Sequence, residues 1–291
     1  MIAPTIDAHL HLWRKRPGRY RWLEKADPAL QRDVTATDAQ AALATCGVRQ
    51  AILVQAEDTI ADTEEMLAAA GRAPWVVGIV GWVRLDSAEA DGQLENWARH
   101  RLIRGIRHLV HDDPRDDFLD LPQVRRSLRR VASRGFVFEV PDAWPRHLGA
   151  VGRLAAALPD LTVVVDHLAK PPLGEEAYGA WRAALYDVAR RDNTVAKVSG
   201  LYDTPGPLSG GALRRVWDDA LDMFGPDRLL WGGDWPMSIP HGGYRPTWEA
   251  LRPLVAELSV GEQEALLGGT ARQLYRLDDD PPGTGLGTAG T

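Results

Sequence analysis

The sequence predicts a single-domain α/β protein in which eight parallel strands and the helices between them form a (β/α)8 (TIM) barrel. Apolar, strand-like runs alternate with helical segments eight times along the chain. Several of these runs are almost continuously apolar, which is typical of parallel strands that helices cover on both faces. The length of 291 residues suits such a barrel, which usually takes about 250 residues. We therefore assign residues 1–277 to the barrel.

The eight predicted strands leave room for a helix between each pair of neighbours. In chain order they cover residues 5–13, 50–57, 76–85, 103–110, 136–141, 161–169, 194–201 and 228–236. Residues 278–291, DDDPPGTGLGTAGT, follow the last helical segment without any apolar pattern. We expect them to form a disordered tail.

Capping residues mark the predicted helices between the strands. Thr37 and Asp38 are candidate N-caps for a helix that ends at Gly47. The segment 121–135 has a proline near its start and a glycine at its end, which is the usual asymmetry of helix termini. Residues 144–160 and 210–225 have the same helical pattern. The polar segment 14–34 is predicted to be a loop that folds over the mouth of the barrel.

Composition and charge argue against several classes of partner. The formal net charge is −6. The sequence has no basic stretch of the kind that binds nucleic acid, because the pattern of RRSLRR at 125–130 indicates a solvated helix face. No apolar run approaches the roughly 20 residues that span a bilayer, and the N-terminus lacks the pattern of a signal peptide. Cys46 is the sole cysteine, so no internal disulfide forms. We expect a cytoplasmic protein.

Histidines and carboxylates stand near the ends of four predicted strands. His9 and His11 belong to the first strand, Glu139 to the fifth, His167 to the sixth and Asp234 to the eighth. Side chains at the C-terminal ends of barrel strands converge on one site. Two histidines spaced two apart on a strand point to the same face, where they can share a metal ion or polarise a substrate oxygen. So much buried polarity is costly unless the groups are paired or bind something.

Further polar or aromatic residues at strand ends are candidates for substrate binding. They are Gln55, Trp82, Arg107, His108, Lys170 and Lys197. Arg107 suits an anionic group or a developing oxyanion, and a salt bridge that shapes the barrel mouth is the alternative. Lys170 is either a substrate contact or a loop residue, and Trp82 either walls the cavity or belongs to the core.

The polar motifs resemble a known family. IDAHLHLW, VVVDHLAKP and RLLWGGDWP resemble signatures of the amidohydrolase superfamily. ILVQA, VGIVGWVRL, IRGIRH and KVSGL match its sugar-lactonase branch in order, and the resemblance runs over residues 6–277. It implies a barrel that hydrolyses a small-molecule lactone. By motif, His9 and His11 match the strand-1 pair, His167 the strand-6 histidine and Asp234 the strand-8 aspartate.

The resemblance also implies a mechanism. Many members carry a metal-bridging lysine or a histidine on the middle strands, whereas this chain offers Glu139, which argues against a two-metal site. We expect one divalent ion, Zn²⁺, held by His9, His11, Glu139 and Asp234, with Asp234 as the general base and His167 steadying the carbonyl oxygen or protonating the leaving alkoxide. A metal-free reaction with a histidine oxyanion site stays open.

Other functions stay open alongside the lactonase. A metal-dependent non-oxidative decarboxylase of the same superfamily uses a similar site but normally has a histidine where Glu139 stands. An amidase would use the same groups on an amide. A catalytically silent barrel that binds a sugar acid or another protein is the alternative outside enzymes. A homo-oligomer is compatible with the sequence.

Overall fold

Eight parallel strands form the central sheet. The structure is a computed structural model that describes residues 5–203 and 206–278. The strands are β1 (Ile6–Leu10), β2 (Gln50–Val54), β3 (Val76–Gly81), β4 (Ile103–Arg107), β5 (Val137–Val140), β6 (Val163–Val165), β7 (Thr194–Val198) and β8 (Leu229–Trp231). Each strand pairs with the next from β1 to β8, and a parallel bridge from Leu10 to Trp235 brings the two ends of the sheet together. The predicted (β/α)8 barrel is confirmed.

A helix follows each strand. The helices are α1 (Ala36–Ala44), α2 (Ile60–Ala70), α3 (Ala90–Ala98), α4 (Pro122–Ser133), α5 (Leu148–Ala157), α6 (Glu175–Ala189), α7 (Gly210–Phe224), α8 (Tyr244–Val255), α9 (Val260–Glu264) and α10 (Thr270–Leu274). In α4, Val124, Leu128 and Val131 are buried, while Arg126 and Arg129 are exposed. The arginine-rich face is thus solvated because the apolar residues of the same helix face the sheet.

Several predicted boundaries differ from those of the structure. The strands contain three to six residues, because the polar ends of the predicted runs leave the sheet to line the barrel mouth. Helix α1 is capped by Thr35 rather than by Thr37 or Asp38. Thr35 and Asp38 form a reciprocal capping box, in which Asp38 N–H donates to Thr35 Oγ1 and Thr35 N–H donates to the Asp38 carboxylate. Asp38 is therefore the third residue of the helix.

The segment between β1 and α1 crosses the C-terminal end of the barrel. It contains two 3-10 turns, Arg21–Glu24 and Pro28–Leu30. The hydroxyl of Tyr20 donates a hydrogen bond to Asp62 at 2.6 Å, and the Trp22 indole N–H donates to the carbonyl of Ala56 at 2.9 Å. These bonds join the segment to the loop after β2 and to α2.

The predicted division of the chain after residue 277 stays a prediction, because most of the proposed tail, residues 279–291, lies outside the described residues. Within residues 5–203 and 206–278, no helix combines the length and the apolar character that crossing a membrane requires.

Candidate active site

Three buried polar side chains, Asp7, His9 and His11, lie on β1 or directly after it and make different contacts. The carboxylate of Asp7 accepts hydrogen bonds from the backbone N–H groups of His9 and Gly233 at 2.9 Å each, and from the Tyr244 hydroxyl at 2.9 Å. Burial raises the pKa of Asp7 to about 6, although these hydrogen bonds oppose the shift. Asp7 therefore ties β1 to the loop after β8 and leaves the two histidines free for other contacts.

Three polar atoms converge at the C-terminal end of the barrel. Nε2 of His9 lies 3.1 Å from Nε2 of His11. Oδ1 of Asp234 lies 3.5 Å from Nε2 of His11 and 3.8 Å from Nε2 of His9. Nδ1 of His11 is 2.8 Å from the carbonyl oxygen of Val54. Because the carbonyl accepts a hydrogen bond from Nδ1–H, the lone pair of the neutral ring is on Nε2. Oδ1 of Asp234 is buried without a hydrogen-bond partner among the described residues.

This arrangement fits a divalent metal ion. Ligand atoms about 2.1 Å from a tetrahedral zinc ion are separated from one another by about 3.4 Å. The observed separations of 3.1, 3.5 and 3.8 Å are close to that edge length. Two imidazole nitrogens and a carboxylate oxygen are also ligands that zinc prefers. The unpartnered oxygen of Asp234 is a further sign that this corner of the site takes a cation.

His167 approaches the same carboxylate from the loop after β6. Its Nε2 lies 4.0 Å from Oδ1 of Asp234, and its Nδ1 lies 2.9 Å from the hydroxyl of Ser199. A Cβ at Gly200 would lie 2.5 Å from Nδ1 of His167 and 2.9 Å from Oδ2 of Asp234. Only glycine therefore fits at this close approach, where the backbone also has a φ of +59°.

Strained backbone presents both of these side chains. Residues 167 to 170 have φ values between +51° and +61°, and Asp234 has a φ of +47°. Left-handed conformations cost roughly 1–2 kcal/mol for each residue other than glycine. Strain of this kind concentrates at functional sites, where the surrounding structure holds it in place.

Charge around Asp234 keeps it ionised. Burial raises its pKa, but the neighbouring His167, His11 and His9 outweigh that effect and hold the pKa below the ordinary range of a carboxyl group. Burial also lowers the pKa of His167 and of His9. Asp234 is therefore ionised, which is the form of a carboxyl group that can accept a proton.

Beneath these residues lies a network of buried charges. The ammonium of Lys197 is 2.6 Å from Oε2 of Glu139, 3.2 Å from Oδ1 of Asp166 and 3.2 Å from Nδ1 of His9. The hydroxyl of Tyr275 donates to the other oxygen of Glu139. Arg107 donates to Asp166 at 3.1 Å. Since every charge in this network has an opposite charge beside it, the network can remain buried.

A cavity of about 290 Å³ opens above the network. His11, His167 and Asp234 form part of its wall, as do Trp13 and Trp22 from the segment that crosses the barrel end. Its other charged or imidazole side chains are Arg107, His111, Asp112, Asp142, Lys170 and His241. A chamber of this volume, with aromatic and hydrogen-bonding walls, is suited to one small polar ring.

The structure brings some of the predicted site residues together and separates others. His9, His11, His167 and Asp234 meet within 4.0 Å, and Arg107 and Lys170 reach the cavity wall. Glu139 and Lys197 lie in the buried network instead. The remaining three predicted residues, Gln55, Trp82 and His108, are absent from the wall.

The side chains of Gln55, Trp82 and His108 contact Asp58 or one another beside the barrel mouth. The side-chain amide of Gln55 donates to Asp58 at 3.0 Å. Nδ1 of His108 is 3.1 Å from the carboxylate of Asp58, and the Trp82 indole N–H donates to the same nitrogen at 3.3 Å. Since His108 directly follows β4, these contacts hold the start of the loop after that strand.

Sequence reasoning did not single out several wall residues as site residues. Asp142 directly follows the predicted strand at 136–141, and its position was the one available signal. Tyr202 and His241 stack in parallel with ring centroids 4.4 Å apart, although they belong to loops after different strands. Trp22 lies in the segment over the mouth. The residue types of these loops carry no periodic pattern that would mark them.

Fold and site together define an amidohydrolase, and the chain belongs to the amidohydrolase family, whose model matches residues 6–277. Two named relatives are lactonases. The chain is 33% identical to an L-fucono-1,5-lactonase of Burkholderia ambifaria, over 94% of this chain and 96% of the relative. It is 31% identical to an L-fucono-1,5-lactonase of Burkholderia multivorans, over 96% and 98%. The predicted resemblance to this branch is confirmed.

A solved structure agrees with this placement. An amidohydrolase from Burkholderia multivorans, described with bound zinc, superposes with a TM-score of 0.87 at 30% identity, and the match covers 94% of this chain and 99% of that one. The relative's zinc and the cluster of His9, His11 and Asp234 both support a metal-binding site in this protein.

Proposed function

We propose that this protein hydrolyses a small sugar-acid lactone by the attack of water on the ring ester. The observation that carries the proposal is the meeting of Asp234, whose Oδ1 has no hydrogen-bond partner among the described residues, with three imidazoles beside a cavity of about 290 Å³. The two L-fucono-1,5-lactonases among the relatives support a lactone as the substrate class.

Asp234 is the proposed general base. Its buried Oδ1 has no hydrogen-bond partner among the described residues, and the neighbouring imidazoles keep the carboxyl group ionised. A water that donates to this carboxylate would lose its proton as its oxygen bonds to the lactone carbonyl carbon. The fixed, left-handed backbone at Asp234 holds the carboxylate in place for this transfer.

His9, His11 and Asp234 are the proposed holders of one zinc ion. When bound there, zinc supplies Lewis acidity that polarises an oxygen atom and lowers the pKa of water. Glu139 is left out of this set, unlike in the expectation from sequence, because Lys197 and Tyr275 take both of its oxygens. Asp166 and Lys197 face Nδ1 of His9, and such contacts orient a ligating ring.

His167 is the proposed proton donor to the leaving ring oxygen. If the Ser199 hydroxyl donates to Nδ1, the neutral ring carries its proton on Nε2. That nitrogen lies 4.0 Å from Oδ1 of Asp234, so the base and the acid sit on one side of the cavity. When the ring C–O bond breaks, the Nε2 proton passes to the alkoxide, and the proton held by Asp234 restores the imidazole.

Arg107 and Lys170 are the proposed substrate-binding residues on the wall. Gln55, Trp82 and His108 act only by supporting the loop after β4, since their side chains contact Asp58 and one another. The oligomeric state and the cytoplasmic location expected from the sequence remain predictions.

Acid release from a panel of aldonolactones, followed with a pH indicator, tests the proposal. Zinc-loaded protein should hydrolyse at least one lactone well above the buffer rate. Asp234→Asn should keep the thermal midpoint of the wild type and lose about 10²–10⁴-fold in kcat/KM, the usual contribution of a general base. Asp160→Asn, at the opposite end of the barrel, is the matched control.

Two results would count against the proposal. Absence of turnover with every lactone by zinc-loaded protein would remove the lactonase. Unchanged turnover by Asp234→Asn would remove Asp234 from the base role. Carbon dioxide release from aromatic acids would support the decarboxylase alternative, and amide cleavage the amidase; binding of sugar acids without turnover would support the silent barrel.

A further inference from the structure

Two carboxylates on the wall of the cavity, Asp112 and Asp142, lie outside the group proposed to hold zinc. The cations of the wall are Arg107 and Lys170. Arg107 is already paired, since it donates to Asp166 at 3.1 Å and to the carbonyl of Gln55 at 2.7 Å. A zinc ion at His9, His11 and Asp234 would balance the charge of Asp234. The negative charges that remain on the wall are those of Asp112 and Asp142.

Asp142 is placed as an acceptor for a group that the protein does not supply. It follows β5 and Pro141 and takes a left-handed φ of +46°. Its Oδ1 is buried without a hydrogen-bond partner among the described residues, while its side chain forms part of the cavity wall. A buried acceptor without a donor is costly. A hydroxyl of a bound sugar ring is a donor that would satisfy it.

We propose that this cavity selects neutral, polyhydroxylated lactones and rejects lactones that carry a free carboxylate, with Asp142 as the specificity-determining residue. Asp142 accepts a hydrogen bond from a ring or side-chain hydroxyl of the neutral substrate, and it repels a carboxylate at the same position. Asp112 adds to the repulsion. The inference rests on the proposed function and specifies its substrate class.

A matched pair of substrates tests the proposal. Glucono-1,4-lactone and glucaro-1,4-lactone share a ring and differ in a terminal hydroxymethyl or carboxylate group. For the wild type we expect kcat/KM to favour the neutral lactone by about tenfold or more, the effect of one close like-charge contact. Asp142→Asn should reduce that preference by about tenfold, and asparagine tolerates the left-handed backbone. Asp160→Asn makes the same charge change at the other end of the barrel and should leave the preference unchanged.

A second variant keeps the proposal testable where Asp142→Asn fails to fold. Asp142→Gly removes the same charge, and glycine adopts the left-handed backbone of this position without strain. It should reduce the preference for the neutral lactone about as much as Asp142→Asn. A full preference in Asp142→Gly would overturn the role of Asp142.

The outcomes separate this proposal from the proposed function. If neither lactone nor any other aldonolactone is hydrolysed, the proposed function fails. If both lactones are hydrolysed with equal kcat/KM, the lactonase stands and the charge selection is overturned. If Asp142→Asn retains the full preference of the wild type, the role of Asp142 is overturned.

Discussion

Removal of the Lys197 ammonium should destabilise the protein strongly. This group lies 2.6 Å from Glu139 and 3.2 Å from Asp166, and all three side chains are fully buried. Lys197→Met keeps the length of the side chain but leaves both carboxylates with one cation fewer. Breaking a buried ion pair by removal of one partner costs about 3–5 kcal/mol. Since a domain has about 5–15 kcal/mol of stability, this loss would be a large fraction of the total.

Equilibrium unfolding in urea, followed by circular dichroism and tryptophan fluorescence, measures the effect. We expect the free energy of unfolding to fall by about 3–5 kcal/mol in Lys197→Met. Lys15→Met is the matched control, because Lys15 is exposed and a surface change of this kind stays within about 0.5 kcal/mol. The double variant Lys197→Met/Glu139→Gln should recover part of the loss, since it removes the unpaired charge of Glu139 together with the cation, while Asp166 keeps Arg107 as its partner.

Two results would refute this reasoning. If Lys197→Met lies within about 1 kcal/mol of the wild type, well below the cost of an unpaired buried charge, then Lys197 does not balance the charges beneath the cavity. If the double variant is less stable than Lys197→Met, then Glu139 stabilises the fold through Tyr275 rather than through the ammonium.

The other predictions concern pH and metal. Burial raises the pKa of Asp62 to about 7, so its contribution to stability is present below pH 4 and lost as the pH rises to 7; about 4 kcal/mol should disappear over that range, and Asp62→Asn should flatten the slope in urea titrations. Although burial opposes it, Arg115 holds the pKa of Asp113 below its ordinary range. Asp113→Asn should therefore lose more stability at pH 7 than at pH 2, because below about pH 4 the unfolded state takes up the proton and the contribution of the pair shrinks. His11→Ala should bind zinc at least about tenfold more weakly by elemental analysis after dialysis, whereas the exposed His100→Ala should not. A pH slope unchanged in Asp62→Asn, equal losses in Asp113→Asn at both pH values, or full zinc content in His11→Ala would contradict these expectations.

The sequence pattern was sufficient to predict the barrel and the central cluster, because both follow from the order of the strands along the chain. Apolar runs at regular intervals predict eight strands, and in a barrel the end of each strand lies at one rim. His9, His11, His167 and Asp234 could therefore be placed near one another without any coordinates. This prediction required only the position of each residue relative to the end of its strand.

The partners of the buried charges could not be predicted in the same way. Lys197 and Glu139 are 58 residues apart, and Tyr275 comes from the end of α10, beyond the last strand. Which of several carboxylates an ammonium contacts depends on side-chain reach across the barrel, and no sequence period encodes that. Glu139 was accordingly expected at the metal. The left-handed run from His167 to Lys170 was also missed, since residues other than glycine rarely adopt this conformation.

Polar groups beneath the cavity and polar groups on its wall differ in one respect that bears on function. In the buried network, the ammonium of Lys197 and the guanidinium of Arg107 lie against carboxylates. Oδ1 of Asp166 and Nε of Arg107 also have no hydrogen-bond partner among the described residues, but each side chain has an opposite charge within 3.2 Å. On the wall, Oδ1 of Asp234 and Oδ1 of Asp142 have no hydrogen-bond partner among the described residues. A fold retains such costly acceptors where a ligand completes them. A cation and a water beside Asp234, and a substrate hydroxyl beside Asp142, would do so, and this division is the reason to look for selectivity on the wall.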